Sequence, residues 1–178
     1  MWTYLVLVVL AVVLWGFYIS WRASRLDRLH NRLEAARTAL DLAMVRRSSA
    51  AYELASSGLL DPAASLLLAD AVRRVRDAGQ AERDLAESDL TQALRAVFDQ
   101  PGFRKELEAA GAGPELIREV EAAAQQVFIA RKFYNDVASR TIDARRRPLA
   151  RVFRLAGSAR QPEFFEMDDA LPEGDGPG

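Results

Sequence analysis

His30 is the only histidine among 178 residues and there is no cysteine, so the side chains that most often do chemistry near neutral pH are almost absent. A di-iron bundle site takes a Glu-x-x-His pair from each of two helices, and a His-based zinc site takes several imidazoles; one histidine excludes both by counting. The missing cysteine removes thiol nucleophiles, thiolate metal sites and disulfides. A Ser-His-Asp relay would have to use His30, which stands among Arg25, Arg28 and Arg32 and reads as a surface residue. Gly111-Ala112-Gly113 has neither the preceding strand nor the lysine of a phosphate loop. A Ser-Lys dyad could draw only on Lys105 and Lys132, and no motif surrounds either. The expectation is a protein that is not an enzyme, with no catalytic or metal-binding residues and no cofactor.

The remaining polar chemistry is charge. Arg140, Arg145, Arg146, Arg147, Arg151 and Arg154 form a basic stretch that either offsets the dipole at a helix C-terminus or engages anionic lipid headgroups or an acidic ligand. Nucleic acid is disfavoured, because a single aromatic residue, Phe153, falls among the arginines and the net charge is only -1. Glu163, Glu166, Asp168, Asp169, Glu173 and Asp175 can pair with those arginines or be solvated, and glycine and proline from Leu171 onward point to disorder.

These charges are positioned by long apolar patterns. Met1 to Trp21 contains no charged side chain, and Arg22, Arg25 and Arg28 follow at once. Roughly 20 helical residues cross a hydrocarbon core of about 30 Å, so the run has the length of one membrane passage. Trp2 and Tyr4 stand at one end, Tyr18 and Trp21 at the other, where amphipathic rings suit the two interfaces. A cleaved signal peptide would need a basic start, a shorter apolar core and small residues before the cut, and all three are lacking. Arginines on the C-terminal side predict that the bulk of the chain is cytoplasmic.

Beyond the span, Leu26, Leu29, Leu33, Ala36, Leu40, Ala43, Ala50 and Leu54 fall on steps of three and four, interrupted only by Arg47. No Pro or Gly occurs between Arg22 and Ser57, so the membrane helix is expected to continue into this one as a rod ending at Ser57-Gly58. Asp61-Pro62 marks the next start. Leu66, Leu67, Ala69, Val72 and Val75 are the expected core face there. After Gly79, where a break and continuity are both open, Leu85, Leu90, Leu94, Val97 and Phe98 carry the pattern to Gln100-Pro101-Gly102. Phe103 to Glu108 is a short helix. After Pro114 the last long helix shows Leu116, Val120, Ala123, Val127, Ala130, Tyr134, Val137 and Thr141, and should stop near Pro148.

Within that last helix stands Arg131-Lys132-Phe133-Tyr134-Asn135-Asp136, followed by Phe153-Arg154-Leu155-Ala156-Gly157 and Pro162-Glu163-Phe164-Phe165-Glu166. With Arg46-Arg47 and the block Glu87-Ser88-Asp89-Leu90-Thr91-Gln92-Ala93-Leu94, this ordered set resembles the LemA family of bacterial membrane-anchored helical proteins. The chain departs from that pattern in its links before and after the last helix, Asp99 to Phe103 and Arg145 to Pro148, and in the absence of lysines before the span. The resemblance implies a helical bundle facing outward from the cytoplasm, against the charge rule, and no shared enzymatic reaction. Arg131, Phe133, Tyr134, Asn135, Asp136, Phe164 and Phe165 are then motif residues with a structural or partner-binding role. Phe133 or Tyr134 is expected to seal the bundle, Asn135 and Asp136 to hold the C-terminal segment, and Phe153, Phe164 and Phe165 to anchor it over the helices.

The whole expectation is all-α: a transmembrane helix over 1–21, then a LemA-like antiparallel up-and-down bundle of three to four long helices over 22–168 with a folded-back C-terminal segment, and a disordered tail over 169–178. Such a single-pass cell-membrane protein would be a scaffold or interaction module. Its partners would be the lipid bilayer, other membrane or envelope proteins and a second copy in a homo-oligomer, with no nucleic acid. The alternative is an arginine-rich module binding anionic lipid or an acidic ligand in envelope-stress sensing.

Overall fold

A computed structural model of the chain describes residues 1–146 and 163–169, without the side chains of 19–20, 22–27 and 145–146. Among the described residues there are five helices and no strand: α1 (Trp2–Ser56), α2 (Pro62–Asp77), α3 (Arg83–Phe98), α4 (Phe103–Ala109) and α5 (Gly113–Arg146). The helix ends follow from local chemistry. α1 stops where Gly58 takes a φ of 74°, a left-handed conformation that lacks a penalty only for glycine. Asp61 caps α2, its Oδ1 accepting from the N–H groups of Ala63 and Ala64 at 2.9 and 3.0 Å, with Pro62 at the first position. The chain leaves the helix between Asp77 and Arg83, so Gly79 lies in a break, not inside a continuous helix. Gly113 opens α5 against the end of α4; a Cβ there would lie 1.8 Å from the Leu107 carbonyl oxygen, so no other residue fits this turn.

The chain divides into two compact units, and α1 and α5 each contribute to both. Unit 1 comprises Met1–Ala36 and Asn135–Phe164. It buries Leu33 and Ala36 from α1 and Val137, Ala138 and Thr141 from α5. The Thr141 hydroxyl is satisfied by donating to the Val137 carbonyl at 2.8 Å. At the start of α1 the apolar side chains are exposed all round, Leu5 to Leu10 by 52 to 64%. Among the described residues no helix is long and apolar enough to cross a membrane. The uncharged run Met1 to Trp21 includes residues 19–20, whose side chains lie outside the described set.

Unit 2 comprises Arg37–Tyr134 and Phe165–Gly178 and holds the main core. Ala51 and Leu54 of α1, Leu68 and Val72 of α2, Leu90, Leu94 and Val97 of α3, Phe103 and Leu107 of α4 and Ile117 and Val120 of α5 form one cluster. The rings of Phe98 and Phe103, 5.1 Å apart, close the α3–α4 corner. α2 and α3 pack on each other as a hairpin. Here the expected core faces need correction. α2 buries Ala64, Leu68, Ala71 and Val72 while Leu66 and Leu67 are exposed. Ala64, Leu68, Ala71 and Val72 recur at steps of three and four on one helical face, and Leu66 and Leu67 lie off it. Leu85, in the first turn of α3, is exposed for the same geometric reason, since Ala86 occupies the inward position. The stripe of α5 is buried at Val120, Ala123, Val127 and Tyr134.

Charged pairs frame this unit. Arg46 joins Glu119 at 3.0 Å, Arg83 joins Asp41 at 3.2 Å and Arg104 joins Glu121, linking α1 to α5, α3 to α1 and α4 to α5. These are surface pairs, each contributing at most about 1 kcal/mol.

Candidate functional site

Arg47 interrupts an apolar stripe, and its side chain is only 2% exposed. A buried guanidinium needs a counter-charge and acceptors for its fixed fork of N–H groups. α3 supplies both. Glu87, 1% exposed, places Oε2 at 2.7 Å from Arg47 Nη2, and its backbone carbonyl accepts from the same nitrogen at 3.0 Å. Thr91, one turn further on, accepts from Nη1 at 2.8 Å through Oγ1, while its own hydroxyl donates to the Glu87 carbonyl at 3.1 Å. Helical spacing of four puts Glu87 and Thr91 on one inward face, which is why a single arginine reaches both. Arg47 Nε and the neighbouring Ser48 Oγ are buried without a hydrogen-bond partner in the structure.

A second polar constellation lies on an adjoining face of α3. The segment from Phe165 to Asp169, outside any helix, buries Met167 and is held at alternate residues. Asp84 Oδ2 accepts from the Glu166 N–H at 3.2 Å, and Ser88 Oγ accepts from the Asp168 N–H at 3.0 Å. The Asp168 carboxylate is 3.6 Å from Arg95, and Asp169 receives Nε and Nη2 of Arg131 at 2.6 and 2.8 Å. This last pair is bidentate and largely buried, with side-chain exposures of 21 and 10%.

The motif residues of the sequence thus take separate places. Tyr134 is buried and Phe133 is exposed, so Tyr134 is the ring that seals. Arg131 grips the tail. Asp136 pairs with Arg140 on its own helix at 3.0 Å, and the segment 147–162 that it was expected to hold lies outside the described residues. Asn135 is part of unit 1. Phe164 is 47% exposed and is not an anchor; Phe165 is half-buried, and Met167 occupies the buried position instead. Phe153 lies outside the described residues, as do the side chains of Arg145 and Arg146 and all of Arg147, Arg151 and Arg154. Asp169, expected to begin a disordered tail, is fixed by Arg131, and residues 170–178 lie outside the described set. Of the residues expected from sequence to border a membrane span, Trp2, Tyr4, Tyr18 and Trp21 are exposed, and the side chains of Arg22 and Arg25 lie outside the described set. Arg28 is exposed.

Among the described residues no group of three or more His, Asp or Glu side chains could hold a metal ion. The pKa of Asp70 on α2 is lowered: its hydrogen bond from Arg73, at 2.7 Å, contributes most, desolvation opposes, and Arg74 adds to the lowering. That is a surface pair, not a reactive one. Asp84, Ser88, Arg95 and Met167 escaped sequence reasoning. Glu87 did carry a signal, an acid three residues before Leu90 and seven before Leu94, on the apolar face of its helix just as Arg47 is on that of α1. Two lone opposite charges on two apolar faces are expected to meet. Searches against family models, curated proteins and solved structures found no match.

Proposed function

We propose that this is a membrane-anchored helical bundle of the LemA type, an antiparallel up-and-down arrangement that serves as a non-enzymatic scaffold or interaction module for other envelope proteins. The observation that carries the reading is where α1 leaves apolar side chains uncovered. From Leu5 to Leu14 they are exposed all round, and further along the helix Leu42, Val45 and Tyr52 are exposed at spacings of three and seven. An all-round apolar helix is covered by lipid, and a single exposed stripe by one partner surface. Aromatic rings at both ends of the first run support a bilayer as its cover. On α5, Ile129 and Phe133 are exposed as well. The polar interior supports a structural purpose, because Glu87 and Thr91 take up both terminal nitrogens of the buried Arg47 guanidinium. The arginine border at Arg22, Arg25 and Arg28 favours a cytoplasmic bundle, and the family likeness favours the opposite side.

Membrane fractionation and site-specific photo-crosslinking test this together. The chain should stay with membranes through an alkaline wash, and a crosslinker at Leu42 or Val45 should give a discrete adduct that one at Arg73 does not. Release into the wash would overturn the anchor, and identical adduct patterns from all three positions would overturn the interaction surface. Protease treatment of spheroplasts assigns the side.

A further inference from the structure

The segment Phe165 to Asp169 is bound to its own bundle in the manner of a recognised peptide. Its backbone is outside any helix, two alternate N–H groups are received by Asp84 and Ser88, and between them Met167 is buried. Two of its three carboxylates, Asp168 and Asp169, meet arginines on different helices, Arg95 on α3 and Arg131 on α5. Main-chain capture gives affinity without regard to sequence, whereas one apolar position followed by two acidic ones gives selectivity. We propose that the surface between α3 and α5 is a recognition site for an extended acidic peptide with an apolar residue followed by two carboxylates, and that residues 166–169 are its cis ligand and occlude it. The site deepens the reading of the bundle as an interaction module by naming a partner chemistry, and it is independent of the exposed stripe on α1.

Occlusion in cis has a calculable signature. A tethered ligand competes at an effective concentration on the order of 1 mM, so a peptide with an intrinsic Kd of about 0.1 mM binds the intact chain roughly tenfold more weakly than it binds a chain whose tail is released. The test uses a fluorescent peptide with the sequence of residues 163–169, titrated against the full chain and against Asp168→Lys/Asp169→Lys, in which Arg95 and Arg131 repel the tail. Expected are binding about tenfold tighter to the double variant, loss on adding Arg131→Glu, and loss when both aspartates of the peptide are replaced by asparagine. Equal binding to intact and released chains, or equal binding of the asparagine peptide, would overturn the proposal. Should the double variant not fold, hydrogen exchange on the unaltered chain decides. Excess unlabelled peptide should speed exchange at the Glu166 and Asp168 amides, and unchanged protection sinks the proposal. A null result here with crosslinks still formed from Leu42 would remove this site and leave the interaction module standing.

Discussion

Glu87→Ala is the substitution that most directly probes what holds the bundle in register. Its carboxylate lies 2.7 Å from Arg47 Nη2, and the two side chains are 1 and 2% exposed, so water cannot replace it. Removing one partner of a buried pair leaves the other charge uncompensated, which costs about 3–5 kcal/mol, a large share of the roughly 5–15 kcal/mol that holds a typical domain. Arg47 would keep the Thr91 hydroxyl and the Glu87 carbonyl as acceptors, which argues for the lower half of that range. Replacing both, as Arg47→Met/Glu87→Met, removes both charges and the unsatisfied Nε while retaining most of the volume. Thr91 still donates to the carbonyl of residue 87. That double variant should lie within about 1 kcal/mol of the parent or above it. Denaturant unfolding in a mild detergent, followed by far-ultraviolet circular dichroism, measures all four corners of the cycle. Fluorescence would miss the event, because the three tryptophans are Trp2, Trp15 and Trp21. A loss below about 1 kcal/mol for Glu87→Ala, or a double variant less stable than either single one, would refute the reasoning.

Gly113→Ala should destabilise by at least the 1–3 kcal/mol of ordinary overpacking, since the new Cβ meets a carbonyl oxygen and not a flexible side chain; unfolding midpoints check it, and a change under about 0.5 kcal/mol contradicts the turn geometry. The Asp70 carboxyl should titrate below its ordinary value of 3.8 and move up in Arg73→Ala, as read by carboxyl-carbon NMR. Because its folded pKa is lowered, its stabilising contribution is present above about pH 3.9 and fades as pH falls through the folded value. A midpoint indifferent to Arg73→Ala would remove that cause.

Long amphipathic segments were legible because one face of each is set by local spacing: the stripes from Leu33 to Leu54 and from Val120 to Thr141 are buried at nearly every position named from sequence. The caps at Asp61 and Gly58 were legible for a similar reason, each being a contact within a few residues. In α2 periodicity offers two faces; the larger residues at 66 and 67 point to one, and the core takes the other, with Ala64, Leu68, Ala71 and Val72. The tail contacts were invisible from spacing, since Asp84 to Glu166 and Ser88 to Asp168 join residues about eighty apart through hydrogen bonds that any polar side chain could make. The phenylalanines are the larger apolar residues of the tail, but the two amides captured at Glu166 and Asp168 flank Met167, and it is Met167 that is buried.

α3 ties the two polar constellations together. At 3.6 residues per turn, Glu87, Thr91 and Leu94 lie within roughly 60° of one another around the helix, and Asp84, Ser88 and Arg95 lie within roughly 40° on a face about 75° away. The inward face accepts the Arg47 fork only at one rotation of the helix, because the carboxylate and the hydroxyl must both reach the same guanidinium. An apolar face alone tolerates small rotations, as leucines and alanines repack with modest loss. The buried pair therefore fixes the angle at which α3 presents Asp84 and Ser88 to the tail. Replacing it with Met/Met should leave the stability of unit 2 nearly unchanged while speeding hydrogen exchange at the Glu166 and Asp168 amides. Tail protection equal to that of the parent chain would mean that packing alone sets the rotation of α3, and that the charge pair has no part in shaping the tail's binding surface.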